Sequence, residues 1–329
     1  MVPLGLGHSL VSGSLLISGS SAYAMTKSFE FDGTDDGFIT NTLSGVDPAD
    51  GSSKPTTRSL SVAAWVKFDD GSADPYETTG SHFIVGCAGN GGWALSFQNR
   101  RFVWLNNFDQ GDGTNISVQP QSTFRAQRND GAASRFLFRE DGWHFVVGTT
   151  DLENPSTQVI GNIYVNGNRA QAGAASGGAG NGPNGETFGA QPEDSNSKKT
   201  VTATSGDIIH RYDTQANREN QEVDITIGGS GLFTFATDVT TMHVNFWNGY
   251  IGDVAIWDCL LSQAEIAQLY NLHRPIDMST VQTSNLRGYW RPTNGLKDSV
   301  SGNTGSLADD GAVVVNAPST DVSGYDGYQ

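Results

Sequence analysis

Two cysteines, Cys87 and Cys259, are too few among 329 residues to staple a disulfide scaffold. They read as two separate, mostly buried thiols rather than a bridge, which leaves the redox compartment open. Basic residues are scarce as well. Nineteen Lys and Arg stand against 35 Asp and Glu, a formal net charge of −16. That balance argues against nucleic acid as a partner, because sequence-independent binding depends on cations neutralising phosphates, and equally against an anionic membrane surface. No stretch is long and apolar enough to span a bilayer. Ser21-Ala22-Tyr23-Ala24 imitates a signal-peptidase site behind Leu15-Leu16-Ile17, but no Lys or Arg precedes it, and Ser and Gly interrupt the apolar run. The segment is expected to stay in the protein rather than be removed.

Glycine, by contrast, is abundant at 41 residues, and turns with it. Residues 243 to 271 organise the rest of the chain. Trp247-Asn248-Gly249 reads as a turn. From Tyr250 strict alternation sets Ile251, Asp253, Ala255 and Trp257 on one face and Tyr250, Gly252, Val254 and Ile256 on the other. The period then changes. Ser262 followed by Glu265 predicts a capping box, Leu261 and Ile266 a hydrophobic staple, and Ile266, Leu269 and Tyr270 the buried face of a short helix that Pro275 stops.

Taken in order, residues 1 to 24 form an uncharged arm rich in Gly, Ser and Leu, with no period of its own. It either packs along the domain or orders by lying on another subunit. Residues 25 to 40 carry a first strand and turn. Leu60, Val62, Ala64, Val66 and Phe68 line one face of a core strand, and further strands fall at 83–85, 93–97, 102–105, 143–149 and 159–166. Asn166-Gly167 predicts a type I′ turn, since both residues tolerate positive φ. Insertions occupy 106–135, with Arg125, Arg128, Arg135 and nearby Arg139 as a basic island, and 170–222, where a small hairpin is expected around Val201 to Tyr212. Core alternation resumes at Val223, Ile225 and Ile227, Val313 to Val315 makes a last strand, and a tail follows from 316 to 329. About a dozen short strands with one short helix predict an all-β, antiparallel two-sheet jelly-roll sandwich spanning 25–315.

Several of these segments together resemble a known family. Phe246 to Trp257 followed by Leu261 to Tyr270 resembles the closing signature of laminin-G-like domains, within the concanavalin A-like lectin and glucanase superfamily. Phe29-Glu30-Phe31-Asp32-Gly33 resembles its opening strand, LSVAAWVKF from Leu60 its tryptophan strand, Gly142 to Val147 with Ile163 to Gly167 its central hairpin, and LRGYW from Leu286 a trailing strand. The uncharged opening MVPLGLG and the start of the sandwich at Met25 resemble laminin-G-like proteins of tailed, especially marine, phages.

The resemblance implies candidate chemistry. Laminarinase-like relatives use Glu-x-Asp-x-x-Glu along one strand, so that one carboxylate is nucleophile and another acid. Here Glu222 and Asp224 are followed by Ile227, and the acid is missing. Some relatives hold calcium at a sheet rim. Asp35, Asp36 and Asp253 are the candidates for it, set against a plain turn-forming role. An EF-hand through Asp32, Thr34, Asp36 and Gly37 is excluded because its twelfth position is Leu43. Trp104, Phe108, Trp247 and Tyr250 could stack on sugars, with core or turn packing preferred for Trp247. Gly180 to Gly185 matches Gly-x-Gly-x-x-Gly only as low-complexity loop. His144 reads as an ordinary strand histidine, and Asn115-Ile116-Ser117 is a glycosylation sequon that matters only in a secreted eukaryotic setting. No catalytic, cofactor or metal residue is assigned, and calcium is left open. The resulting expectation is a non-enzymatic virion protein, a capsid decoration or tail or fibre component. Its partners would be other virion proteins or copies of itself through the arm, and host glycans. A secreted carbohydrate-binding module and a laminarinase-type hydrolase are the alternatives.

Overall fold

A computed structural model describes residues 23–40, 59–69, 81–87, 92–98, 101–109, 115–121, 143–151, 158–169, 198–202, 209–210, 225–231, 242–271, 274–308 and 313–316. Two antiparallel sheets face one another. The first runs β10 (Asn168–Arg169), β9 (Gln158–Val165), β8 (His144–Asp151), β3 (Leu60–Phe68), β16 (Asn248–Trp257), β1 (Lys27–Asp32), β19 (Val313–Asn316); β11 (Lys198–Thr202) also pairs with β9 and β17 (Leu286–Trp290) with β16. The second runs β12 (Ile209–His210), β6 (Arg101–Asp109), β5 (Trp93–Gln98), β4 (Ser81–Cys87), β13 (Ile225–Ile227), β2 (Gly37–Thr40), β18 (Ser306–Ala308), with β7 (Asn115–Val118) on β6. A two-stranded ribbon joins β14 (Ser230–Gly231) to β15 (Met242–Val244). The protein is a jelly-roll β-sandwich.

The core between the sheets follows the alternation of β3. Leu60, Val62, Ala64, Val66 and Phe68 all point into it, meeting Trp93, Leu95, Phe97 and Trp104 of the second sheet. Ala63 and Trp65 point the other way, into a second apolar layer closed by α1 (Gln263–Tyr270) and by the segment around Met278, Val281 and Tyr289. One polar bridge crosses the main core. Trp104 Nε1 donates to Thr150 Oγ1 at 2.8 Å, and that hydroxyl donates to Asn106 Oδ1 at 2.9 Å. Thr150→Val keeps the shape but strands two buried polar groups, and urea unfolding should show a loss of about 3 kcal/mol. An unchanged midpoint would mean that the bridge contributes nothing.

The helix forms as its sequence predicts. Ser262 Oγ accepts from the Glu265 amide at 3.3 Å and Glu265 Oε2 accepts from the Ser262 amide at 2.7 Å, while Leu261 and Ile266 are both buried. Asn271, left-handed at φ 43°, ends it before Pro275 is reached. Asn166 and Gly167 have φ of 53° and 77° and close the β9–β10 hairpin.

Three local expectations are corrected. β16 begins at Asn248, so Asn248 and Gly249 are strand rather than turn, with Gly249 at φ 129° pressed against the backbone of Lys67. Strict alternation along β16 breaks as well: Ile251 pairs with Val66 and Val254 with Ala64, so Gly252 and Asp253 both stand opposite Trp65. This bulge shifts the parity by one. Ile251, Val254 and Ile256 therefore share the main core, whereas Ala255 and Trp257 face the helix layer. Thirdly, Val201 to Tyr212 holds no hairpin among its described residues, because β11 joins β9 in one sheet and β12 joins β6 in the other.

Candidate functional site: an acidic turn and a buried carboxylate

The tight turn between β1 and β2 collects three carboxylates. Asp32 Oδ1 accepts from the amides of Thr34 at 2.7 Å and Asp35 at 3.4 Å, and Asp36 Oδ2 accepts from the Asp32 amide at 2.8 Å. Gly33, at φ 78°, lies where a Cβ would meet Asn248 Cβ at 2.7 Å. These bonds are the turn-forming role expected of aspartates. They also bring one oxygen each from Asp32, Asp35 and Asp36 within 4.8 Å of one another, with Asp32 exposed and the other two half-buried. Such an arrangement of hard oxygen ligands suits a divalent cation such as calcium.

Asp253 does not join that group. It lies five residues along β16 from Asn248, the partner of Asp32, about 15 Å at strand rise. The bulge turns it into the helix-side layer, where it is 1% exposed. Its Oδ2 accepts from the hydroxyls of Tyr289, at 2.9 Å, and Tyr23. The Tyr289 hydroxyl in turn accepts from the Met278 amide at 3.2 Å. Arg291 roofs the cluster, its guanidinium 4.7 Å from the Tyr23 ring centroid and 5.6 Å from that of Tyr289, and its Nη1 is 3.3 Å from Asp277 Oδ2.

Burial pushes the Asp253 carboxyl up to about 6, against the lowering effect of the two tyrosine hydroxyls and of Arg291. Burial and the neighbouring Asp253 charge hold both tyrosines well above the ordinary phenol range. The linkage sign follows. Asp253 binds its proton more tightly folded than unfolded, where its ordinary value is 3.8. Its stabilising contribution is thus complete below pH 3.8 and is lost as pH rises through about 6, roughly 3 kcal/mol in all. Urea midpoints measured from pH 4 to 7.5 should carry this fall in the native protein and lack it in Asp253→Asn. Parallel curves for the two would contradict the assignment.

Among the described side chains, the aromatic candidates Trp104, Trp247 and Tyr250 do not form a platform. Trp104 and Trp247 are wholly buried in the main core, Trp247 against Phe68 at 4.8 Å between centroids, as preferred for Trp247. Tyr250 is half-buried and donates to Glu30 Oε1 at 3.2 Å. Phe108 belongs to β6, paired with Ile116 and His210, but its side chain lies outside the described residues. His144 is 1% exposed between β3 and β6, with Phe68 and Phe102 rings beside it. Ile227, the last position of the Glu-x-Asp-x-x-Glu spacing considered in the sequence, is fully buried, and Glu222 and Asp224 lie outside the described residues. So do Arg125, Arg128, Arg135, Arg139 and Gly180 to Gly185. Both cysteines are free: Cys87 faces the main core and Cys259 the helix layer, on opposite sides of the first sheet. Burial, with Asp258 and Glu265 adding to it, pushes the Cys259 thiol up to about 11, which keeps it protonated near neutrality. The Asp253 cluster is the site that sequence reasoning missed. Gly252-Asp253 at the centre of a strand was the available signal, since both residues are poor strand formers and mark bulges.

No family model matches the chain, and no curated protein does. Solved structures match in fold. A Bacteroides ovatus ATCC 8483 protein provisionally named as carbohydrate binding aligns at TM-score 0.50 and 12% identity, over 90% of this chain and 61% of that one. What is shared is the β-sandwich fold. A heptameric SAP-like pentraxin from Limulus polyphemus aligns at TM-score 0.38 and 11% identity, over 89% of this chain and 96% of that one. The binding domain of botulinum neurotoxin serotype G does so at 0.35 and 17%, over 66% and 37%. The chain thus spans 61% of the length of the Bacteroides ovatus protein. Among the described residues no helix is long and apolar enough to cross a membrane.

Proposed function

We propose that the protein is a non-catalytic adhesion domain that binds carbohydrate, with calcium held by Asp32, Asp35 and Asp36. The observation that carries this reading is the jelly-roll β-sandwich itself, aligned over 90% of the chain with a protein provisionally named for carbohydrate binding. The buried Ile227 supports binding over hydrolysis, because the three-carboxylate strand of a laminarinase-type sandwich is incomplete. The clustered oxygens of the β1–β2 turn support a cation there. The test is a glycan array probed with the full chain, with and without a chelator. The expected result is retention on a restricted set of glycans that chelation abolishes. Retention unaffected by chelation would sink the calcium role, and no retention at all would sink the carbohydrate reading.

A second reading concerns where the domain works. The phage resemblance of the opening residues favours a virion component, a capsid decoration or part of a tail or fibre, fixed through residues 1 to 24. One structural observation is consistent with it: Tyr23 and Met25 are held against the helix side of the sandwich. Co-sedimentation of the full chain with virions, lost when residues 1 to 22 are removed, is the expected result. Equal sedimentation of both forms would contradict it.

A further inference from the structure

Ser21-Ala22-Tyr23-Ala24 imitates a signal-peptidase site in the sequence, with the cut falling between Ala24 and Met25. The structure uses residues on both sides of that bond. Tyr23 is half-buried, Ala24 exposed and Met25 only 6% exposed, so two of the three side chains turn inward just ahead of β1. Both pack in the helix-side layer, which is otherwise built from residues 63 to 289.

Each inward side chain has a seat on the β16 bulge or beside it. The Tyr23 hydroxyl donates to Asp253 Oδ2, which is 1% exposed and accepts otherwise from the Tyr289 hydroxyl. The Arg291 guanidinium lies over the Tyr23 ring, 4.7 Å from its centroid. Gly252 leaves the room that Met25 fills, because a Cβ there would collide with the Met25 sulfur. A hydroxyl that donates to a carboxylate makes one of the stronger hydrogen bonds, and a buried acceptor that loses its donor bears a desolvation cost.

We propose that Tyr23 and Met25 seal the helix-side layer, so that any proteolytic processing near the N-terminus must leave Tyr23 in place. Hydrolysis of the Ala24–Met25 bond takes the donor from Asp253 and the ring from beneath Arg291. It also leaves a charged amine on Met25, a residue that the layer buries. A cut on the N-terminal side of Tyr23 touches none of these contacts. The seal is independent of the carbohydrate, cation and virion readings, since none of its residues belongs to the acidic turn.

Urea unfolding at neutral pH of four chains tests this. They are the full chain, the full chain with Tyr23→Ala, a chain in which an initiator methionine replaces residues 1 to 22, and a chain that starts at Met25. The chain from Met25 should unfold at about 1 M lower urea than the chain that keeps Tyr23, and Tyr23→Ala should fall below the full chain by a similar shift. Peroxide oxidation under native conditions, read from peptide masses, reports on the seal itself. In Tyr23→Ala the Met25 sulfur should react about tenfold faster than in the native chain, while Met278, 1% exposed in the same layer, keeps its rate. A chain from Met25 that does not fold, beside a chain from Tyr23 that does, would also support the proposal. Equal midpoints for the two shortened chains, a native midpoint in Tyr23→Ala, or a native Met25 rate in that variant would each overturn it.

Discussion

Gly148→Ala should unfold the protein at markedly lower urea, with a loss of about 3 kcal/mol. Gly148 lies on β8 between Val146 and Thr150, both of which face the main core. The Trp104 indole lies flat over it. A Cβ there would stand 2.3 Å from Cδ2, 2.4 Å from Cε3 and 2.6 Å from Cγ of the ring. Neither side can yield cheaply. The indole is fixed by its bond to Thr150 and by Trp93 at 5.7 Å, and the β8 backbone is paired to β3 on one side and β9 on the other. The companion variant Trp104→Leu costs stability alone but makes room, so the double variant should lose less than the sum of the two. Simple additivity would mean that this contact is not the source of the loss.

Trp247→Ala should have a larger effect still, about 4 kcal/mol. Its indole is fully buried and packed, tilted, against Phe68, and its amide donates to the Gly228 carbonyl at 2.7 Å. A tryptophan that served as a sugar platform would behave in the opposite way, losing binding while the fold kept its stability. Urea unfolding followed by near-ultraviolet dichroism separates the two. A stable variant that no longer binds glycan would return Trp247 to the surface.

The architecture was readable wherever one face of an element carries a clean period. Leu60 to Phe68 points as its alternation says, Ser262 and Glu265 cap the helix, and Asn166-Gly167 turns the hairpin. β16 was misread for a physical reason. Period-two reasoning assumes one residue opposite one, and the bulge at Gly252-Asp253 sets two opposite Trp65, exchanging the faces of everything beyond it. β11 and β12 were misread because short, polar strands carry no mark of which sheet they will join. The candidate site divides along the same line. Asp32, Asp35 and Asp36 are neighbours in sequence, and a single turn gathers them. Tyr23 and Asp253 are brought together only when β1 pairs with β16 from the other end of the chain, so no local pattern announces their bond.

Catalysis and adhesion part ways most directly in a time course of new reducing ends. The full chain is mixed with a polysaccharide that it retains on affinity electrophoresis, with calcium present. Retention with no reducing ends beyond the blank is the outcome foreseen for a sandwich with the buried Ile227 at the last position of the Glu-x-Asp-x-x-Glu spacing. Reducing ends that accumulate well beyond one per protein molecule would make it a glycosidase and contradict the account.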